Sequence, residues 1–324
     1  MRLALDTNRY TNLCRGDSQV VEIVESADAV WLPSTLAAAA VVAVVALTPL
    51  PAAAQDVPWY KAVHAGCPGE PGKFHPCALK KAKTFNPART PDGKPDMQGY
   101  WFDGPGSSQN IEEHPESYGI PGNPTLIVEP ADGKIPYQPW AAAEKQKNFK
   151  QYQDPQGQCS PSGVPRVMYV PFGSQILQIP GYVVILFEQN QASRIIPTDG
   201  RPHVGQNIRL WGMDARGRWE GDTLVVDLTN SNGRPWLDAQ GNFYSAALHV
   251  VERLTMVDAD TIHYDATIED PNVYTRPWKI AFPIRRNKEP GHQQMEYACH
   301  EGERDAQHAT SLGYKTYPGV VPPK

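Results

Sequence analysis

The sequence predicts a mainly β protein: an antiparallel meander forming a calycin-like barrel or bent sandwich, with an irregular N-terminal wrap and one short helix. Three observations carry this reading. Pro and Gly are abundant, at 32 and 26 residues, while charged residues make up only 20% of the 324-residue chain, the balance of a turn-rich protein rather than of stacked amphipathic helices. From about residue 165 onward, short β-branched and aromatic runs follow one another, most of them bounded by a turn signal. No crossover helices separate these runs, which disfavours a parallel sheet.

Residues 1–33 open with a short apolar strand (Leu3, Ala4, Leu5), an acidic residue at its end (Asp6) and an amphipathic stretch. This opening resembles that of PIN-domain ribonuclease toxins, and the resemblance implies that Asp6 is the first of several metal-holding carboxylates. The family's later acidic residues have no counterpart in the Ala/Val run after Pro33. One carboxylate does not organise a Mg²⁺ site, so the segment is expected to be a non-functional fragment and a PIN-like ribonuclease is disfavoured.

Residues 34–54, STLAAAAVVAVVALTPLPAAA, have the shape of a secretory signal: an apolar run, then the small residues Ala52, Ala53 and Ala54 before Gln55. Pro49 and Pro51 interrupt the run before it reaches the about 20 residues of a membrane span. Export to the periplasm or the extracellular space is expected, with no permanent membrane anchor. In an oxidising compartment Cys67, Cys77, Cys159 and Cys299 suggest two disulfides. Of three possible pairings we favour Cys67–Cys77, closing a short loop, with Cys159–Cys299 tying the wrap to the last strand. The competing reading is a zinc site from His64, Cys67, His75 and Cys77. The net charge of -5 supplies no basic footprint, so neither nucleic acid nor anionic membrane is an expected partner.

Residues 55–160 form the wrap, rich in turns such as PGEPGKFHP and TPDGKPD, with an aromatic strand over 97–102. Its one helix is expected over 139–152, with Pro139 in the first turn and Glu144 placed i,i+3 from Lys147. Residues 161–324 hold the β domain, one domain together with the wrap. Strands are expected at 166–170, 175–179, 182–188, 194–197, 207–214, 218–228, 247–257, 261–269, 278–284 and 294–299. Turn signals lie at Pro180-Gly181, Asp199-Gly200, Arg216-Gly217, Asn232-Gly233 and Asp258-Ala259-Asp260. A three-residue loop at Asp258-Ala259-Asp260 sets a register in which His249 faces Glu269, Arg253 faces Asp265 and Thr255 faces His263. On the other face Leu254 meets Tyr264 and Glu252 meets Ala266.

No P-loop, dinucleotide glycine turn, GxSxG elbow or HExxH is present. What remains is a set of acids and imidazoles in or beside strands, most of which fit cross-strand pairing; His263, beside the tight turn, is expected to be structural. Three places point to chemistry. The Asp199-Gly-Arg-Pro-His203 turn offers Arg201 and Asp199 to a ligand and His203 as acid or base. His249 opposite Glu269 has the form of a base with its orienting carboxylate. Glu252 is a carboxyl among apolar neighbours, the setting of a ligand-binding or proton-transfer acid. Trp211, Trp219, Trp236 and Trp278 could line an apolar pocket.

CSPSGVPR (159–166), PGYVVILFE (180–188), DGRPH (199–203), RGRWEGDTLVVD (216–227), LHVVER (248–253), TIEDPNVYTRPW (267–278) and EYACHE (296–301) together resemble a family of uncharacterised exported bacterial proteins. The resemblance runs through most of residues 90–301 and brings no established activity. The chain departs from it after Glu188, where Gln189, Asn190 and Gln191 stand in place of frequent His or aromatic residues. Two functions are therefore expected: binding of an apolar or aromatic small molecule by the barrel, or hydrolase or lyase chemistry by His249, Glu269 and His203, with or without a metal. No cofactor is identifiable. N-terminal sequencing of the exported protein should read from Gln55; an intact Met1 in the extracytoplasmic fraction contradicts cleavage.

Overall fold

The computed structural model describes residues 2–4, 29–31, 58–102, 107, 109–116, 122–299, 305–320 and 322–323. Asp6, the 34–54 segment and His300 lie outside them. The chain divides into two units, Met1–Val57 and Pro58–Lys324. In the first, Arg2–Ala4 pairs in parallel with Ala29–Trp31.

The second unit is built on a ten-stranded sheet. Its strands are β1 (Gly99–Phe102), β2 (Ile127–Glu129), β3 (Gly173–Ile179), β4 (Tyr182–Phe187), β5 (Ser193–Pro197), β6 (Asp214–Glu220), β7 (Thr223–Thr229), β8 (His249–Asp258), β9 (Thr261–Glu269) and β10 (Trp278–Arg286). Nine of them run in the order β5-β4-β3-β1-β10-β9-β8-β7-β6, and β2 adds to β10. Every pairing in this sheet is antiparallel. The expected hairpin register holds at each position, including His249 opposite Glu269 and Glu252 opposite Ala266.

The period-2 pattern decides which face turns inward. Val250, Leu254, Ile262, Tyr264, Ile268, Ile280, Phe282, Leu224 and Val226 are all buried in one core. Curvature brings the two ends of the sheet together. A Cβ at Gly217 on β6 would lie 2.8 Å from side-chain carbons of Ile196 and Thr198, so only glycine lets β6 approach β5 this closely. The sheet is thus a nearly closed barrel.

One polar contact crosses its interior. Arg194 on β5 and Glu252 on β8 form a two-pronged ion pair, with Nη1 donating to Oε1 at 3.1 Å and Nη2 to Oε2. The Tyr264 hydroxyl donates to the same Oε1 at 2.7 Å, and both charged side chains are buried. Glu252 does point into the barrel, but as half of a salt bridge rather than as a solitary acid. Two charges removed from water stay stable only with such complete pairing.

The wrap contains two helices where one was expected. The helix α2 (Pro139–Gln151) forms as read, with Pro139 in its first turn and Lys147 bonded to Glu144 at 2.9 Å. A second, α1 (Pro71–Ala82), occupies the stretch read as a Pro/Gly loop. It is anchored by burial of Phe74 and Ala78, one turn apart, against Val257 of β8. Its interior Pro76 lacks the N–H that would bond residue 72, a defect normally costing about 3 kcal/mol. A disulfide from Cys77 to Cys67 fixes the helix to the strand before it. Cys159–Cys299 is the other bridge, so both favoured pairings form and the zinc alternative at those thiols falls. A third helix, Asp305–Ser311, follows the barrel.

Other expectations fail for local reasons. Residues 166–168 form a 3₁₀ turn, not a strand, with Arg166 turned to a two-pronged pair with Asp154. The expected 218–228 strand is a hairpin whose turn is Gly221-Asp222, with Gly221 at φ +59°. The Arg216-Gly217 signal marks the close approach to β5 instead of a turn. Residues 207–213 and 294–299 carry only isolated bridges, Leu210 with Ser231 and Tyr297 with Gln189.

The internal ion pair generates a stability prediction. Glu252→Ala leaves the Arg194 guanidinium buried and should cost about 3–5 kcal/mol in urea unfolding, while Arg194→Met/Glu252→Leu together should recover most of the loss. A single-variant cost under about 1 kcal/mol would mean that the pair is solvated.

Candidate functional site

The outward face of β6 to β9 carries the opposite half of the alternation, and at one end of the barrel that half is ionisable. β6 begins with Asp214 and Arg216, β7 ends with Asp227, β8 begins with His249 and β9 ends with Glu269. Antiparallel pairing brings these strand ends side by side: Arg216 lies opposite Asp227, and His249 opposite Glu269.

His203 joins them from the loop before β6. The Asp214 carboxylate is buried and fully engaged, accepting from His203 Nδ1 at 2.7 Å and Val204 N at 3.0 Å on one oxygen and from Arg216 Nη1 at 2.7 Å on the other. Arg216 Nε also donates to Pro202 O at 2.8 Å, and Asn230 Nδ2 holds Gly205 O at 2.9 Å and Ile208 O at 3.0 Å. The loop is thereby pinned on both sides of the imidazole.

The result is a file of alternating imidazoles and carboxylates, Asp214–His203–Asp227–His249–Glu269. His249 Nε2 lies 2.7 Å from Asp227 Oδ1, and its Nδ1 lies 3.9 Å from Glu269 Oε2. His203 Nε2 lies 3.8 Å from Asp227 Oδ2. Both imidazoles converge on one carboxylate, and His249 has Asp227 as its close partner, with Glu269 more distant than a hydrogen bond reaches. In the neutral form each imidazole has one proton, which the 2.7 Å contact takes. The remaining lone pair of each then faces a carboxylate oxygen across a gap, at 3.8 and 3.9 Å. Acceptor facing acceptor is favourable only with a donor or a proton between them.

Glu269 also borders a cleft of about 510 Å³ shared with Gln138, Asp270, Tyr274 and Arg276. Burial raises the Asp270 carboxyl above its ordinary range, against hydrogen bonds from Ser245 and the backbone of Asn272 and Val273. Asp270, held by these hydrogen bonds, is part of the cleft wall.

The other sequence candidates lie elsewhere. Arg201 spends its guanidinium on Asp199, with Nε donating at 2.9 Å, and on the Tyr182 hydroxyl at 2.7 Å. Its hydrogen bonds hold the Asp199 carboxyl down at about 2. Glu252 is inside the barrel. Trp236 and Trp278 are packed in the core. Trp211 is half-buried in the loop before β6, and Trp219 borders a separate cleft of about 300 Å³ with Tyr182, Thr198 and Arg218.

Asp214 and Asp227 are the members that sequence reasoning missed as partners. The signal was the β6–β7 hairpin: with the turn at Gly221-Asp222, Asp227 faces Arg216 and stands beside the start of β8. No protein-family model matches the chain, and no curated protein matches it. In its neutral form His203 should be the Nδ1–H tautomer in long-range ¹H–¹⁵N spectra, and Asp214→Asn should abolish that preference. An Nε2–H signal for His203 in the unaltered protein contradicts the geometry.

Proposed function

We propose that the protein is an extracytoplasmic enzyme of the hydrolase or lyase type, acting on a small polar molecule at the His203–Asp227–His249 file. The two acceptor-facing gaps carry this reading. With Asp214 fixing Nδ1–H, Nε2 of His203 is the basic atom, and a water or substrate group lodged before Asp227 would give its proton there. The imidazolium so formed lies between Asp214 and Asp227, whose charges stabilise it. His249, tied to Asp227, offers the second acceptor at Nδ1, and Arg276 in the adjoining cleft supplies a cation for an anionic part of the substrate. Export is supported by the two disulfides. No helix among the described residues is long and apolar enough to cross a membrane.

A second reading, binding of an aromatic small molecule, is favoured by the Trp219 and Tyr182 cleft at the barrel seam. The barrel interior itself is filled by Tyr264, Phe282 and the Arg194–Glu252 pair. The two readings separate in an assay of the exported protein against chromogenic aryl esters, aryl phosphates and aryl glycosides. Turnover is expected in at least one class, falling by about 10²–10⁴-fold in His203→Asn and little in Arg201→Ala. No turnover in any class, or full turnover in His203→Asn, contradicts the enzyme reading.

A further inference from the structure

Under helix α1 lies a second imidazole group, on the same outer face but toward the opposite ends of β8 and β9. His263 and Asp265 stand two apart on β9 and so share a face. His75 reaches them from α1, with its Nδ1 3.0 Å from His263 Nε2. Each of the three side chains offers one ligand atom, and these atoms all lie within 4.8 Å of one another. Ligand atoms around a tetrahedral Zn²⁺ with arms of about 2.0–2.2 Å are about 3.3–3.6 Å apart. A modest inward closure of three side chains therefore meets that geometry.

A second observation is independent of the spacing. His263 is 1% exposed, and its Nδ1 has no hydrogen-bond partner, with Asp265 Oδ2 at 3.8 Å. An uncompensated buried polar atom costs about 1–3 kcal/mol, and proteins normally avoid it. The contact between the two imidazoles does not relieve it, since that contact uses the other nitrogen. Burial also keeps His263 neutral, pushing it down to about 3, and lowers His75. Neutral imidazole is the form that ligates metal. Burial raises the Asp265 carboxyl to about 6, against the nearby cations Lys279 and Arg253. Lys279 is in turn balanced by Glu129 at 3.7 Å.

We propose that His75, His263 and Asp265 form a binding site for a transition-metal cation of the Zn²⁺ class, which clasps helix α1 to the barrel. Two imidazoles and a carboxylate suit this class over the oxygen-preferring Mg²⁺ and Ca²⁺. Such a clasp would add to the packing of α1 on the sheet. The Cys67–Cys77 disulfide ties α1 to its own leading strand and not to the sheet. Besides the Phe74, Ala78 and Val257 cluster and the Phe74–His263 ring contact, His75 gives the helix a polar link to β9. The disulfide, two residues along from His75, holds that ligand's backbone in place, and β9 holds the other two.

The exported full chain, stripped of metal by chelator and titrated with zinc chloride in a calorimeter, tests this directly. One equivalent should bind and raise Tm. His75→Gln should weaken that binding by at least about 100-fold, since even an outer partner of a ligand is worth 10–100-fold. Asp265→Asn should do the same if the His75 variant folds poorly. His249→Gln should leave zinc binding and the Tm rise unchanged. No Tm rise at millimolar zinc, or zinc binding that survives His75→Gln and Asp265→Asn but is lost in His249→Gln, overturns the proposal.

Discussion

Within the Pro58–Lys324 unit, the Arg194–Glu252 ion pair is the buried polar contact around which the barrel interior is arranged. It joins β5 at one end of the strand order to β8, six places along it, so it spans the interior rather than running along the sheet. Both charges are out of water, and the desolvation cost of several kcal/mol per ion is offset only when the prongs and the Tyr264 hydroxyl meet together. A flatter sheet would separate them. The pair fits the curled form of the sheet, and Gly217 permits that form by letting β6 settle against Ile196 and Thr198.

Closure has a consequence on the outside. Once the inward positions of β6 to β9 are committed to the core, every second residue is committed to the convex face, and there the chain places acids and imidazoles. The ends of four adjacent strands contribute Asp214, Asp227, His249 and Glu269, and the loop pinned by Arg216 and Asn230 adds His203. Exposed ion pairs of this kind contribute little to folding, with a median of about 0–1 kcal/mol. Three carboxylates in one file repel one another, so stability alone does not explain the arrangement. The His75, His263 and Asp265 group differs in setting: His263 and Asp265 are buried, His75 is half-buried, and together they join a helix to a strand.

The register of the hairpin from β8 to β9 was legible up to Met256, because alternation fixes it and the buried face tolerates no slip. The expected three-residue loop is instead the two-residue Ala259-Asp260 turn, with a register shift between Met256 and Asp258. Both disulfides and α2 were legible for similarly local reasons. Helix α1 was hidden by Pro71, Gly72 and Pro76, residues that break isolated helices but are tolerated where a disulfide and a packed face hold the turn. Glycine misled twice: Gly217 read as a turn and is a close approach, while Gly221 is the real turn. His203 and His249, both singled out in the sequence, lie beside the same carboxylate, Asp227. That shared partner was not legible, because Asp227 reaches them through strand order, which sequence spacing does not encode. The pairing of Glu252 with Arg194 was illegible for the same reason, as 58 residues separate them.

In the proposed function the two gaps in the surface file are places for a hydrogen-bond donor. A crystal structure at atomic resolution and neutral pH tests this most directly. The predicted result is a bound donor, a water or a ligand group, within about 2.7–3.2 Å of both His203 Nε2 and Asp227 Oδ2. A site in which both imidazoles have swung away from Asp227 into solvent, with no bound species between them, would contradict it.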